Sequence, residues 1–153
     1  EIVERLSHFR PPSYVPIGLD ATVANGLIDF KFKNNKNHAL YIVTQISNDT
    51  LSIYLLGNKE DLSTEKINII SEIDAVLEPT TLITQDPTLP LGTEIIDFPG
   101  AQGYKVSAYK ITSVDGIVTN KFLLHNDVLE PEEKTIRVGT QPIPPPIAVS
   151  KPK

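Results

Sequence analysis

The chain has 153 residues, with 14 Lys and Arg against 19 Asp and Glu for a net charge of −5, and no basic run exceeds two residues. Phosphate recognition needs clustered positive charge, so this balance argues against nucleic acid as a partner. Cysteine and methionine are both absent, which removes disulfides, thiolate metal sites and a cysteine nucleophile from these residues, and no apolar stretch approaches the roughly 20 residues that span a bilayer.

The chain opens on Glu1-Ile2-Val3-Glu4-Arg5, which reads as the last turns of a helix, with no signal-peptide pattern. Together with the missing methionine, this start leads us to expect a fragment of a longer exported protein. Pro11, Pro12 and Pro16 then hold the backbone extended through Val15, because each proline disfavours the helical region for the residue before it. Five polar side chains fall within this rigid stretch: His8, Ser13, Tyr14, Asp20 and Thr22. His8 suits a general base and Asp20 its orienter, the roles found in nucleophile–base–orienter systems. The alternative for each is structural, since a histidine near a helix C-terminus serves as a dipole partner and an Asp-Ala-Thr turn serves as a strand cap. Ser13 is a poor nucleophile, with prolines on both sides and no oxyanion-hole pattern beside it.

From residue 27 the chain reads as sheet. In residues 27–33, Ile28, Phe30 and Phe32 fall on one face while Asp29, Lys31 and Lys33 face water, the period of two of a half-buried strand. Asn34-Asn35-Lys36-Asn37 is the turn, beside which His38 reads as a surface residue without metal-ligand spacing. Residues 39–47 and 50–56 form the next pair, joined at Asn48-Asp49.

The order of these features, with His8, then Pro12-Ser13-Tyr14-Val15-Pro16-Ile17-Gly18-Leu19-Asp20-Ala21-Thr22-Val23, the strand pair, Asn34-Asn35 and Ala39-Leu40-Tyr41-Ile42, resembles the VanW-like family over about residues 1–60. In that family a glycine-rich segment with a Cys-Gln dipeptide generally precedes the matched part. The resemblance therefore implies an upstream thiol as nucleophile, with the residue matching His8 as its base. It further implies acyl transfer on peptidoglycan stem peptides, of the L,D-transpeptidase kind, which the present chain alone would not perform.

Residues 58–66 are polar, and alternation resumes over 67–77. A long extended element from 66 to 90 is expected to run through a boundary near Pro79 without a glycine- or serine-rich linker. Beyond it, Leu91-Gly92-Thr93, Pro99-Gly100-Ala101-Gln102-Gly103, Asp115-Gly116 and Arg137-Val138-Gly139-Thr140 place five of the eight glycines where strands turn or end. Residues 103–113 and 117–125 are two strand-length runs separated by Val114-Asp115-Gly116, and Asp-Gly supplies the positive φ angles of a tight hairpin. His125-Asn126 falls where the second strand is expected to end, and Glu130-Pro131-Glu132-Glu133 reads as a solvated acidic loop without the spaced ligands of a calcium loop. This glycine pattern resembles the G5 domain of bacterial surface proteins. The resemblance implies an extracellular, wall-associated role and binding of N-acetylglucosamine-containing polymers, and a VanW-like region followed by a G5 domain is an order that implies an exported protein of a Gram-positive bacterium.

The expected fold is mainly β. A small antiparallel sheet module at 1–78, the C-terminal portion of a VanW-like domain, precedes an elongated all-β G5 module at 79–140 and a proline-rich tail at 141–153, with helix confined to the extreme N-terminus and short turns. Three function classes stay open: a cell-wall glycan-binding module, with exposed Tyr104 and Tyr109 either stacking on sugars or packing along the strand; a peptidoglycan-modifying enzyme, with His8 and Asp20 as its base and orienter; and a structural stalk. Peptidoglycan or another wall glycan is the expected partner, and no cofactor or metal is expected.

Overall fold

A computed structural model describes residues 1–142, so the proline-rich tail lies outside the described residues apart from Gln141 and Pro142. Ten strands account for the regular structure: β1 (Ile2–Glu4), β2 (Lys31–Phe32), β3 (Tyr41–Ser47), β4 (Thr50–Leu56), β5 (Lys66–Leu77), β6 (Thr81–Pro90), β7 (Glu94–Phe98), β8 (Gly103–Val114), β9 (Ile117–Leu129) and β10 (Lys134–Gln141). The one helical element among the described residues is a single 3-10 turn, Lys59–Asp61, capped by the Asn58 side chain. The fold is therefore mainly β, as alternation and turn chemistry predict.

The extreme N-terminus departs from that prediction. Ile2–Glu4 is a strand, antiparallel to Lys31–Phe32, and not the end of a helix. Its β-branched Ile2 and Val3 favour extended backbone. Pairing also satisfies a backbone group at the chain start, where the Lys33 amide donates to the Glu1 carbonyl at 2.7 Å, and a side-chain ion pair, Lys31 Nζ to Glu4 Oε2 at 2.6 Å, links the two strands. The strand expected over 27–33 is shorter than its alternation suggests. Ala24 and Ile28 close a tight loop through paired backbone bonds of 2.9 Å, leaving only Lys31–Phe32 in a ladder. Phe30 and Phe32 still share a side, with ring centroids 6.2 Å apart.

Cα packing divides the chain into two compact units, Glu1–Ile73 with Val106–Asp127, and Asp74–Lys105 with the described residues from Val128 onward. In the first unit β3 and β4 form a hairpin in unbroken register from Tyr41↔Leu56 to Ser47↔Thr50, turned by Asn48 at φ 51°. The sheet β5-β8-β9 has β8 at its centre. Its β8–β9 turn has Asp115 at φ 49° and Gly116 at φ 81°, the two successive left-handed residues that match a tight turn to strand twist. Val106 and Ala108 of β8 are fully buried, and Asp20 and Asp127 are buried beside this apolar centre.

In the second unit β10 is central, parallel to β6 and antiparallel to β7. Gly139 of β10 carries the closest backbone approach in this sheet, since a Cβ there would sit 2.0 Å from the Pro90 carbonyl oxygen. On the same strand Arg137 donates to Asp97 through Nε at 2.8 Å and to Asp86 through Nη1 at 2.9 Å, tying both neighbouring segments to the central strand.

Candidate functional site

The segment between β1 and β2 has little regular structure and is held by specific contacts instead. Pro16, Ile17, Gly18 and Leu19 form a turn closed by the Leu19 amide on the Pro16 carbonyl at 3.0 Å. Gly18 sits at φ +86°, and a Cβ there would meet Val106 Cγ1 at 2.8 Å, so both conformation and space require glycine. This turn delivers Asp20 to a buried position where its side chain is 3% exposed.

Asp20 Oδ2 receives two bonds from His8, one from its backbone amide at 3.0 Å and one from ring Nδ1 at 2.6 Å. Burial pushes the Asp20 carboxyl up, but the two His8 bonds, its own backbone amide and the nearby Arg5 charge outweigh that and hold it below the ordinary carboxylate range. An ionised carboxylate only accepts, so Nδ1 donates this bond, which leaves Nε2 as the ring nitrogen that can take up a proton. The His8 side chain is 40% exposed, and Tyr14 packs edge-on to its ring at 6.4 Å. The structure thus brings the two sequence-derived candidates His8 and Asp20 into direct contact. A buried acceptor that orients an accessible imidazole is the arrangement general-base chemistry uses.

Arg5 underlies the pair. Its Nε donates to the Asp20 backbone carbonyl at 2.6 Å, while Nη1 and Nη2 form a fork with Asp127 at 2.9 and 2.8 Å. His125 Nε2 donates to the Gly18 carbonyl at 2.9 Å and lies 3.7 Å from Asp127 Oδ2. His125, placed at a strand end by the sequence, is instead inside β9, which runs on to Leu129. Neither Arg5, His125 nor Asp127 stands out in the sequence as a site residue, since nothing local marks partners so far apart. An apolar hollow of about 520 Å³ adjoins this cluster. Ile2, Val15, Leu19, Phe30, Ile69 and Leu124 wall it, with Arg5, Asp20 and His125 also lining it.

His38 repeats the same arrangement on a smaller scale. Its amide and its Nδ1 both contact Asp61 Oδ2 at 3.1 Å, and its side chain is 41% exposed, so the residue read as a surface histidine is partly covered and anchored. Among the described residues no group of three or more His, Asp or Glu side chains is arranged to hold a metal ion.

The two tyrosines are half-buried and not fully exposed. They lie five residues apart on β8 and so on opposite faces of the strand. Tyr104 belongs to the second unit and Tyr109 to the first. Tyr104 donates its hydroxyl to Gln102 at 3.5 Å. The face of Tyr109 is covered by Lys121, whose Nζ sits 4.0 Å from the ring centroid and pairs with Glu72 at 2.7 Å.

No helix among the described residues is long and apolar enough to cross a membrane. The family model described as VanW like protein matches residues 1–56, and that of the G5 domain matches residues 70–141. The chain is similar to resuscitation-promoting factor RpfB of Mycolicibacterium smegmatis, 32% identical over 67 residues that make up 43% of this chain and 18% of that protein. It is also similar to the uncharacterized protein YoaR of Bacillus subtilis, 50% identical over 42 residues, 28% of this chain and 14% of that one. The chain therefore spans less than a fifth of either relative. Among solved structures, the HP0197 G5 domain is 32% identical with a TM-score of 0.31, covering 49% of this chain and 95% of that one. The IgA1 protease G5 domain is 20% identical with a TM-score of 0.36, covering 50% and 93%. This chain carries a VanW-like segment followed by a G5 domain, a combination that fits a cell-wall-associated protein.

Proposed function

We propose that this chain is part of an exported bacterial cell-envelope protein that binds or remodels peptidoglycan, with His8 as the general base of an acyl-transfer step and Asp20 as its orienter. The observation that supports this most is the 2.6 Å contact between His8 Nδ1 and a buried, ionised Asp20, which leaves Nε2 on an accessible ring. A nucleophile is needed in addition, and the chain contains no cysteine. The VanW-like resemblance assigns that role to a thiol in an upstream Cys-Gln segment, which His8 would convert to thiolate. A longer form of the parent protein carrying that segment should form crosslinked muropeptides, and the 153-residue chain should be inert. General-base catalysis contributes about 10²–10⁴ in rate, so His8→Ala should lower crosslinking by roughly that factor. An inert longer form, or an unchanged rate in His8→Ala, would defeat the base assignment.

A second reading is supported by the G5 match over residues 70–141. In it the module binds N-acetylglucosamine polymers or acts as a stalk outside the cell, attached through other parts of the parent. Of the two tyrosines, Tyr104 is the better sugar platform, because Lys121 occupies the face of Tyr109. Under this reading the chain should sediment with insoluble peptidoglycan, and Tyr104→Ala should weaken retention more than Tyr109→Ala. Equal retention of an unrelated acidic β protein would mark the binding as nonspecific.

A further inference from the structure

Arg5 is the hub on which the His8–Asp20 pair rests. A guanidinium has five N–H donors in one rigid plane, so fixing two of them on a carboxylate dictates where the others point. With Nη1 and Nη2 forked on Asp127, Nε is aimed at the Asp20 carbonyl at 2.6 Å and Nη2 also reaches the Gly18 carbonyl at 3.3 Å. The Arg5 and Asp127 side chains are 9% and 8% exposed, so little water is at hand to replace either partner. Asp127 belongs to β9 and hence to the segment matched to the G5 domain, whereas Arg5, His8 and Asp20 belong to the VanW-like segment. All four residues lie in one compact unit.

We propose that Asp127 is a positioning residue for His8, acting through Arg5 and Asp20, so that the candidate base is completed by a strand of the G5-matched segment. This rests on the reading of His8 as the base. Without the Asp127 carboxylate, Arg5 is a buried cation lacking its main counter-charge. The Asp20 carboxylate is the nearest replacement, its Oδ1 already 3.7 Å from Arg5 Nη2. Arg5 then competes with His8 for Asp20, and the His8 ring loses the acceptor that fixes its tautomer. Two further contacts, one from β9 and one from its neighbour β8, hold the loop that carries Asp20: His125 on the Gly18 carbonyl, and Val106 packed where a Gly18 side chain would be. The G5-matched strands therefore build the floor of the site, and the VanW-like segment supplies its reacting ring.

The test uses the 153-residue chain labelled with ¹⁵N. In the unaltered protein the His8 imidazole should give a single Nδ1–H tautomer, and its backbone amide, which donates to Asp20, should exchange slowly. Asp127→Asn should keep a β-type circular dichroism spectrum, lose the Nδ1–H signal and speed His8 amide exchange about tenfold or more, and Asp127→Glu should restore part of both. Asp86→Asn, which breaks a more exposed arginine pair in the other unit, should leave His8 unchanged and so controls for an effect of losing any arginine–aspartate pair. Unchanged His8 signals in Asp127→Asn, or equal changes in Asp86→Asn, would overturn the proposal. Should Asp127→Asn fail to fold, Arg5→Lys, which keeps the charge and removes the fork, is read by the same criteria. The readout involves no muropeptide, so failure of the crosslinking assay and failure of this positioning role are distinguishable.

Discussion

Arg5 and Asp127 lie 122 positions apart and meet in a two-bond fork, Nη1 to Oδ1 at 2.9 Å and Nη2 to Oδ2 at 2.8 Å. Both side chains are more than nine-tenths covered. The pair joins the residue that follows the first strand to the ninth strand, and the loop bearing Asp20 hangs from the same guanidinium.

Removing either partner should be costly. Breaking a buried ion pair leaves an uncompensated charge, at about 3–5 kcal/mol, so Asp127→Ala and Arg5→Ala should each lower the urea midpoint markedly. Glu4→Ala, which removes the exposed pair with Lys31, should have a far smaller effect, because solvent screens that pair and takes its place.

Stability should fall in acid. The folded Asp20 carboxyl is held below its ordinary value of 3.8, so its contribution is complete above that value and is lost as pH falls through the lower folded one. Asp61, Asp86 and Asp97 are shifted in the same direction by His38, Thr88 and Arg137 hydrogen bonds. Urea midpoints measured from pH 7 down to pH 2 should drop most below about pH 4. The drop should be shallower in Asp20→Asn, whose stability at pH 7 should already be reduced.

Gly18→Ala should destabilise by roughly 2–5 kcal/mol, combining about 1–2 kcal/mol for a left-handed non-glycine residue with about 1–3 kcal/mol for overpacking against Val106. Chemical denaturation measures the loss. Amide exchange should show that it falls first on the Asp20 loop, with His8 protection reduced.

Gly139→Ala should disrupt the second unit. Its Cβ would fall 2.0 Å from the Pro90 oxygen and 2.8 Å from that of Leu89, both backbone atoms that can move only by parting β10 from the end of β6. Amide protection across Lys134–Gln141 should fall, while the β3–β4 hairpin, with no element in common with that sheet, keeps its protection.

Much of the fold is written locally. Alternation and the Asn48-Asp49 and Asp115-Gly116 turns determine the two hairpins and the mainly β class, because a period of two and a left-handed turn residue act over a few positions. The VanW-like and G5 resemblances also stand, carried by short motifs of proline, glycine and polar residues in fixed order. His8 and Asp20 were legible as a pair for the same reason, being 12 positions apart on a stiff segment.

Long-range pairing was not legible. Ile2–Glu4 is too short to show any period, and only its partner Lys31–Phe32 makes it a strand. The parallel ladder of β6 with β10 joins Thr81 to Lys134 with no turn between them to announce it. Lys121 reaching across Tyr109 to Glu72, and Asp127 closing on Arg5, depend on strands being brought side by side. The sequence by itself determined the longer strands, the hairpin turns and the candidate base. The tertiary structure alone decided what holds that base, because a buried ion pair arises from the meeting of distant backbones and leaves no periodic trace in either segment.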